Sequence, residues 1–385
     1  MIYLDNAAST QIHESVFDAM LPYLKEQYGN PSSIHRYGRL ANKAIEKARK
    51  QIAMLINADP SEILLTSGGT ESNNTALWGI AEKRPHSQII TSSIEHDAIL
   101  EPCKKLARKE VDVIYLPVDN HGVVNFDALQ NSLSDNTCLV SIMFANNEVG
   151  TIEPISKIAK LCNEHNIKFH TDAVQAIGKI PIDVKKLGVD LLSISSHKIN
   201  GPKGVGALYI RKGIDIDPII LGGGQEHGLR SGTENVANIV GFGKACEITT
   251  LHLSENISKM KNLRDILVTK ILSEISGVTL NGHPENRLPN NAHFTFLGVA
   301  GEDLIIKLDE YGIAASTGSA CSVHTQKASH VLEAMGYSYE QITGSLRLTL
   351  GLFNTLEQIC ETVNILKKVT AELRLVSPFK EKYSF

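Results

Sequence analysis

The chain of 385 residues is predicted to adopt an α/β fold, with a large, mostly parallel sheet and a smaller second domain. Two observations predict this. Seven short β-branched runs alternate with amphipathic helical patterns between residues 62 and 210. From about residue 255 the pattern changes to longer helices with few strands. We therefore expect residues 15–255 to form the large domain, and residues 1–14 and 256–385 to form the smaller α+β domain.

The first elements in the chain are two predicted helices, from about Ile12 to Gln27 and from about Arg36 to Ile56. The seven predicted strands of the large sheet are Ile63–Thr66, Gln88–Ser92, Val113–Leu116, Leu139–Phe144, Lys168–Thr171, Leu191–Ser195 and Val205–Ile210. Helical patterns between them include Thr70–Lys83, Ile99–Lys109 and Ile155–His165. Ligands of such sheets bind at the carboxyl ends of the strands, so the polar residues that follow these runs are the candidates for a site.

The second domain is predicted from a different set of elements. They are a long helix Glu255–Ser276, a short run Val278–Leu280, a strand Ala292–Leu297, a helix Glu302–Tyr311, a segment Ile313–Cys321, a helix Ser329–Met335 and a closing helix Leu356–Val376. A turn rich in Pro and Asn at 289–291 separates the first strands.

Composition excludes several classes of protein. Apolar residues make up 42% and charged residues 21% of the chain, and the formal net charge is −4. Basic residues are scattered, no apolar run is long enough to span a membrane, and the N-terminus lacks the apolar segment of a signal peptide. The six cysteines lie far apart without a CxxC motif, which is typical of reduced thiols. We expect a cytoplasmic protein that binds neither membranes nor nucleic acid directly.

Lys198 follows the predicted strand Leu191–Ser195, at the point where the chain turns through Gly201-Pro202 into the next strand. A lysine at such a strand end is shielded from water, which disfavours its charged form and favours nucleophilic chemistry such as Schiff-base formation. A strand-capping lysine that extends into solvent is an equally common outcome of this pattern. The residues at the other strand ends distinguish between these two interpretations of Lys198.

Two further strand ends suggest a bound anion and a bound cation. Thr66 to Ser72 follows a strand and opens a helix with two glycines, the outline of a phosphate site, although a glycine turn capped by Thr70 is commoner. Asp172 ends another strand, 26 residues before Lys198, and would satisfy a protonated pyridine nitrogen, with helix capping as the alternative. Gln175, one turn further, could donate to a ring hydroxyl.

Two other polar residues follow strands of the same sheet. His96 could stack on a flat ring or transfer protons, whereas a hydrogen-bonded core histidine is the common alternative. Asn147 adds a polar strand end, or is an ordinary turn asparagine. A Schiff-base lysine, a carboxylate for a pyridinium, a phosphate cradle and a residue that stacks on a ring together indicate pyridoxal phosphate.

Nine motifs spread along almost the whole chain resemble those of the cysteine desulfurases, which belong to the class V aminotransferase group of pyridoxal-phosphate (PLP) enzymes of fold type I. They are YLDNAAST (3–10), YGNPSSIH (28–35), TSGGTESNN (66–74), EHDA (95–98), NNEVG (146–150), HTDAVQ (170–175), SSHKINGPKG (195–204), GGGQEHGLRSGTENV (222–236) and STGSACS (316–322). The chain is identified by them as a member of this group.

The resemblance implies roles for individual residues. It implies that Lys198 forms the Schiff base with pyridoxal 5′-phosphate, that Asp172 and Gln175 bind the ring, and that His96 stacks on it. It further implies phosphate contacts from Gly69, Thr70, Ser195 and His197, and a contact from Thr233 to the phosphate of the other subunit of a homodimer. Asn147 is implied as a contact of both cofactor and substrate, and Asn30 and Arg347 as substrate contacts. An arginine fork suits the carboxylate of L-cysteine.

Cys321 lies among the small residues 316–322, which favours an exposed loop over a packed core position. A thiolate there could attack the sulfur of the bound substrate and carry it as a persulfide, with alanine as the other product. A zinc site built from Cys321, His324 and His330 lacks a second pair of ligands and is disfavoured, so we expect no metal.

The length of the segment after Cys321 resembles the subgroup that supplies sulfur to iron–sulfur assembly and tRNA thiolation. Residues 322–327 depart from the small and acidic residues that are commoner there, which leaves the sulfur-acceptor protein open. The alternatives are a selenocysteine lyase or another class V PLP enzyme, a sulfur donor to a DNA phosphorothioation system, and a non-catalytic dimeric scaffold.

Overall fold

The computed structural model describes residues 1–317 and 328–377, and its first elements lie outside the main sheet. They are β1 (Ile2–Tyr3), α1 (Glu14–Lys25) and α2 (Arg36–Leu55). Each helix begins after a histidine, because Nδ1 of His13 accepts from the Ser15 N–H and Nδ1 of His35 accepts from the Gly38 N–H. These caps explain why α1 begins two residues later than predicted.

A seven-stranded sheet forms the centre of the larger part of the molecule. Its strands are β2 (Ile63–Thr66), β3 (Gln88–Ser92), β4 (Asp112–Leu116), β5 (Thr137–Ser141), β6 (Lys168–Asp172), β7 (Leu191–Ser195) and β8 (Gly206–Ile210). They are arranged in the order β2-β8-β7-β6-β5-β3-β4. Strand β8 runs antiparallel to both neighbours, and the other pairs are parallel. The predicted α/β class with a mostly parallel sheet is confirmed.

Helices cover both faces of this sheet. The intervening helices are α3 (Gly69–Ala81), α4 (Asp97–Ala107), α5 (Phe126–Ser132), α6 (Ile155–Glu164) and α7 (Val184–Leu187). Alternate strand residues face opposite sides, so that Leu65 and Ile90 belong to the apolar cluster with α1, α2 and α6, whereas Leu64 and Ile89 belong to the cluster with α3 and α4. The two clusters hold the strand ends in place.

The next helix differs most from its prediction. We predicted a helix from Glu255 to Ser276, but α8 (Val236–Glu274) has 39 residues and begins nineteen residues earlier. Glycines weaken a helical pattern in the sequence. Here Gly243 is required by packing, because a Cβ at that position would lie 2.6 Å from the Cα of Ala48 in α2. The helix therefore continues through the predicted domain boundary.

The smaller part is built on a three-stranded antiparallel sheet in the order β12-β10-β9. Its elements are β9 (Val278–Asn281), β10 (Asn291–Phe296), α9 (Gly301–Glu310), β11 (Ile313–Ala314), α10 (His330–Ala334), α11 (Tyr339–Thr343), β12 (Ser345–Thr349) and α12 (Leu356–Val376). The strands, α9, α12 and the second half of α8 share one apolar cluster. Strand β1 pairs with β11, so the N-terminal residues belong to this part.

Among the residues described here, no helix combines the length and the apolar character that crossing a membrane requires.

Candidate active site

A cavity of about 380 Å³ lies at the carboxyl ends of β6 and β7. Ten of the residues predicted from the sequence line it, namely Gly69, Thr70, His96, Asn147, Asp172, Gln175, Ser195, His197, Lys198 and Arg347. The topology explains this convergence, because neighbouring parallel strands end at the same edge of the sheet. Strand β12 brings Arg347 to the cavity from the smaller part of the molecule.

Lys198 ends a single 3-10 turn, Ser196–Lys198, that follows β7 directly. Its Nζ donates to the carbonyl oxygens of Ala7 and Ala8, at 2.5 and 2.9 Å. The N-terminal segment therefore holds the amine at the edge of the cavity. Together, the strand end and this segment orient the side chain of Lys198 into the cavity.

Asp172, the last residue of β6, is buried with 8% of its surface exposed. Its Oδ2 accepts from Nδ2 of Asn73 at 2.6 Å, and its Oδ1 accepts from the Val174 N–H at 2.9 Å. Both donors are uncharged, and a buried carboxylate is stabilised further by a cation. The Gln175 amide, which donates to the Ala7 carbonyl at 3.0 Å, lies beside it.

The N-terminus of α3 also lines the cavity, through Gly69 and Thr70. The helix follows Gly68, whose φ of 152° is accessible to glycine but strained for other residues. The N–H groups of the first helical turn have no acceptor within a helix and suit an anion. A side chain at position 69 would also clash sterically, because a Cβ there would lie 2.7 Å from Cγ2 of Val174.

Two histidines that border the cavity have lowered pKa values. Burial is the main cause that lowers the pKa of His96, although the charge of Asp172 acts in the opposite direction. Burial, reinforced by Lys198 and other lysines, lowers the pKa of His197 to about 4. Nδ1 of His96 accepts from the Ala98 N–H at 3.0 Å, so Nε2 carries the proton of the neutral ring.

Arg347 is almost completely buried, with 3% of its surface exposed. One guanidinium nitrogen, Nη2, contacts Oδ1 of Asp5 at 2.9 Å, and Nη1 donates to the main-chain carbonyl of Asn147 at 2.9 Å. These two contacts hold the planar group against the cavity wall. A substrate carboxylate in the cavity would meet a preoriented fork.

Two predicted site residues that the structure describes do not line the cavity. Asn30 and Thr233 are exposed, and the Asn30 side chain accepts from the Ser32 N–H in its own turn. Cys321 lies outside the described residues, as does His324. The predicted roles of these residues therefore stay predictions.

Sequence reasoning missed Asn73 and assigned no role to Ala7 and Ala8. Asn73 lies three residues after Thr70 on the same face of α3, so helical periodicity within the motif could have indicated it. It also missed Lys179, a buried lysine whose Nζ donates to the Lys198 carbonyl at 3.1 Å. Burial and the charge of Lys198 lower the pKa of Lys179 to about 7.

The residues present fit pyridoxal 5′-phosphate. The lining offers the hydroxyls of Thr70 and Ser195 and the N-terminus of α3 to a phosphate, and it offers Asp172 to a ring nitrogen. Oδ1 of Asn73 is buried without a hydrogen-bond partner in the described structure, which is consistent with a further polar group in the cavity. Within residues 1–317 and 328–377, no cluster of three or more His, Cys, Asp or Glu side chains could hold a metal ion.

Comparison with known sequences extends these observations. The family model described as "Aminotransferase class-V" matches residues 2–361. A protein of Dictyoglomus turgidum named "Cysteine desulfurase IscS" is 51% identical over 386 residues, covering 99% of this chain and 98% of that protein. One of Methanosarcina thermophila with the same name is 50% identical over 385 residues, covering 99% and 95%.

Solved structures agree with the sequence comparison. A structure titled "NIFS-LIKE PROTEIN" matches with a TM-score of 0.90 at 42% identity, covering 97% of this chain and 100% of that one. A second, titled "SspA in complex with cysteine", matches with a TM-score of 0.81 at 37% identity, covering 92% and 100%. The similarity thus extends over both the large sheet and the smaller antiparallel one.

Proposed function

The chain belongs to the class-V aminotransferase family, and from this membership we propose that it is a PLP-dependent cysteine desulfurase. The observation that carries the proposal is the convergence of Lys198, Asp172 and the N-terminus of α3 on one cavity. The relatives that match nearly the whole chain are named for the same activity. The proposed reaction takes the sulfur of L-cysteine and releases L-alanine.

The cofactor, when bound, supplies an electron sink for the bonds at the α-carbon of the substrate. Lys198 is proposed to attach it through Nζ and, when that amine is free, to move the proton of the substrate α-carbon. Asp172 would hold the ring nitrogen in its protonated form, because a buried carboxylate without a cation is costly. His96 would cover one face of the ring, and its neutral imidazole carries its proton on Nε2 as a hydrogen-bond donor.

The substrate carboxylate is assigned to Arg347. The guanidinium is held by Asp5 and by the Asn147 carbonyl, so its orientation does not have to be created on binding. The contact with Asp5 also balances the buried charge before substrate arrives. We propose Asn147 and Asn30 as further substrate contacts. The contact of Asn30 would form only in the assembled dimer.

Cys321 is proposed to accept the sulfur. Its thiolate forms a bond to the substrate sulfur while the carbon–sulfur bond breaks, and the electron pair stays with the carbon skeleton. Protonation of that skeleton gives L-alanine. The overall change converts one thiol and L-cysteine into one persulfide and L-alanine, which balances without an external oxidant.

We propose a homodimer that passes the sulfur to an acceptor protein in iron–sulfur assembly, tRNA thiolation or both. An exposed apolar face supports the dimer. Helix α1 exposes Phe17, Leu21 and Leu24 on one side, and the adjacent Tyr28 and Ile34 are 76% and 90% exposed. Contiguous apolar surface of this kind is typical of a protein interface.

The test is the release of alanine and sulfide from L-cysteine in the presence of a reductant. Lys198→Ala should abolish both products, because the variant lacks the amine to which the cofactor is proposed to attach. Cys321→Ala should lose both products while retaining the bound cofactor and its absorbance. Cys360→Ala is the matched control, since Cys360 is partly exposed in α12 and does not line the cavity.

Full alanine release by Cys321→Ala would indicate instead that the protein is a lyase or aminotransferase whose reaction does not need a cysteine. Cysteine consumption by Lys198→Ala would contradict the mechanism as a whole.

A further inference from the structure

An ion pair lies beside the N-terminus of α3, the part of the cavity lining that suits a phosphate. Nε of Arg230 donates to Oε1 of Glu71 at 2.8 Å, and Nη2 of Arg230 donates to Oε2 of Glu71 at 3.3 Å. The Glu71 side chain is 9% exposed and the Arg230 side chain 24% exposed. Both charges are therefore largely shielded from water.

Glu71 belongs to the same helical turn as Gly69 and Thr70, which line the cavity. The Ser72 N–H donates to the Gly68 carbonyl at 3.1 Å, and this is the first hydrogen bond of the helix. The N–H groups before it have no acceptor inside the helix, and they are the groups that would bind a phosphate. The carboxylate of Glu71 thus lies close to the place where we expect a bound anion.

A second contact of Glu71 limits how far its carboxylate can be from these N–H groups. Oε2 of Glu71 accepts from the Ser67 N–H at 2.9 Å. Because one residue extends the chain by at most about 3.6 Å, the nitrogen of Gly69 lies within about 7 Å of that of Ser67, and the carboxylate lies within about 10 Å of the Gly69 nitrogen. This is about the Debye length at 0.1 M salt, so an unpaired carboxylate there would repel a bound phosphate.

A buried ion pair holds the loop that carries Arg230. Nη1 of Arg49 in α2 donates to Oε2 of Glu226 at 2.8 Å, and Nη2 of Arg49 donates to Oε1 of Glu226 at 2.7 Å. Oε2 of Glu226 also accepts from the Leu65 N–H of β2 at 2.9 Å. The guanidinium of Arg230 therefore extends from a segment that is itself attached to the sheet.

The pKa values of the pair support an electrostatic role. Burial raises the pKa of Glu71, but hydrogen bonds from Arg230 and Ser67 outweigh this and hold that pKa below its ordinary value. The hydrogen bond to Glu71 is the main cause that raises the pKa of Arg230. Both groups are charged at neutral pH, and their charges cancel.

We propose that Arg230 determines the affinity of the site for the phosphate of the cofactor, by cancelling the charge of Glu71 beside the N-terminus of α3. The inference rests on the proposed function, because it concerns the cofactor that this function requires. Glu71 has a structural role of its own, since it accepts from the Ser67 N–H in the turn before the helix. Arg230 makes that role compatible with binding an anion.

The experiment measures the Kd values of pyridoxal 5′-phosphate and of pyridoxal, which lacks the phosphate, by fluorescence titration of the apoprotein at pH 8. A phosphate monoester carries about two negative charges at this pH. Arg230→Gln should raise the Kd for pyridoxal 5′-phosphate about tenfold, because an uncompensated charge would act on a dianion over about 10 Å. The Kd for pyridoxal should change less than about twofold.

Arg230→Lys keeps the positive charge but changes the geometry of the contact. It should bind pyridoxal 5′-phosphate with a Kd within about threefold of the wild-type value, because the charge rather than the shape of the side chain offsets Glu71.

Glu71→Gln separates the charge of Glu71 from its hydrogen bonds. The oxygen of a Gln side chain can still accept from the Ser67 N–H, but it carries no charge. Glu71→Gln should therefore bind pyridoxal 5′-phosphate at least as tightly as the wild type. The variant with both Glu71→Gln and Arg230→Gln should recover the wild-type Kd. An ion pair that only fastened the loop would give weaker binding in Glu71→Gln and no recovery in the double variant.

Arg211→Gln is the matched control. Arg211 pairs with the buried Asp190, which precedes β7 and so lies at the opposite edge of the sheet from the cavity. Its Kd values for both ligands should equal those of the wild type, and the Tm of each variant checks the fold. Glu71→Gln and Arg230→Lys test the proposal even if Arg230→Gln does not fold.

Three results would overturn the proposal. They are an equal rise of the Kd for both ligands in Arg230→Gln, weaker binding of pyridoxal 5′-phosphate by Glu71→Gln, and an equal loss of affinity in Arg211→Gln.

These titrations need no L-cysteine, so they also separate this proposal from the one on which it rests. The expected pattern of Kd values without alanine release from L-cysteine would refute the proposed function and leave the role of Arg230 in place. A wild-type apoprotein that does not bind pyridoxal 5′-phosphate would refute both.

Discussion

At the scale of single residues, the carboxylate of Asp172 depends on a partner from another element. Asn73 in α3 donates to Oδ2 at 2.6 Å and is completely buried. The carboxylate can only accept, so the Asn73 amide must present its nitrogen to Asp172 and its oxygen elsewhere. This contact joins helix α3 to strand β6 in the lining of the cavity.

Asn73→Ala is therefore expected to weaken cofactor binding. A hydrogen bond to a charged group contributes about 1.5–3 kcal/mol, which corresponds to a rise of about tenfold or more in the Kd for pyridoxal 5′-phosphate. The Kd is measured by fluorescence titration of the apoprotein. Asn74→Ala is the control, because the Asn74 side chain donates to the Thr70 carbonyl on the exposed side of the same helix. Equal Kd values for both variants would show that Asn73 does not support Asp172.

At the scale of elements, a polar row crosses the three central strands. His170 in β6 is completely buried, with Nδ1 2.8 Å from the Ser141 hydroxyl in β5 and Nε2 2.9 Å from the Ser193 hydroxyl in β7. It lies two residues before Asp172 and so points to the same face of the sheet. Burial lowers the pKa of His170 to about 3.

This row predicts a pH dependence of stability. Between pH 6.5 and about pH 3 the unfolded chain binds a proton at His170 that the folded chain does not, so stability falls as the pH falls through this window. From pH 6.5 to pH 5 the loss from this residue is about 2 kcal/mol.

His170→Gln should remove this contribution, so its free energy of unfolding should change less between pH 7 and pH 5 than that of the wild type. The measurement is urea denaturation at both pH values. His252→Gln, at a half-exposed position in α8, should show the wild-type dependence. Identical pH dependence in His170→Gln and the wild type would mean that His170 is not held neutral by burial.

At the scale of the whole molecule, the site requires both sheets and the N-terminal segment. Residues 2–3 pair with β11, and the following residues reach the cavity, where Ala7 and Ala8 accept from Lys198. Asp5 joins Arg347 of β12 to the same segment. Contacts over more than 180 residues of sequence therefore complete the site within one chain.

The exposed apolar face of α1 predicts the assembly of two chains. Phe17→Asp combined with Leu24→Asp should convert a dimer to a monomer, because two carboxylates would be buried without partners. Light scattering after size exclusion gives the mass, and circular dichroism checks the fold. Leu272→Asp, at an exposed apolar position of α8, is the control and should stay dimeric. A dimeric mass for the α1 variant would place the interface elsewhere.

Local patterns in the sequence were sufficient for the fold class, for the family and for selecting Lys198, Asp172 and His96, which line one cavity. Short apolar runs alternate with helical patterns because each strand is buried between layers of helices. This pattern repeats along the chain and is visible in the sequence. Motifs around strand ends carry the chemistry because the backbone there is free to approach a ligand.

Other features depended on contacts between distant segments. Helix α8 continues through a glycine-containing stretch because Gly243 packs against α2, which no local pattern indicates. The support of Asp172 by Asn73, of Arg347 by Asp5 and of Arg230 by Glu71 joins residues that are 99, 342 and 159 positions apart. The periodicity of apolar residues indicates which face of a helix or strand is buried. Which residues contact that face is determined only when the elements pack together.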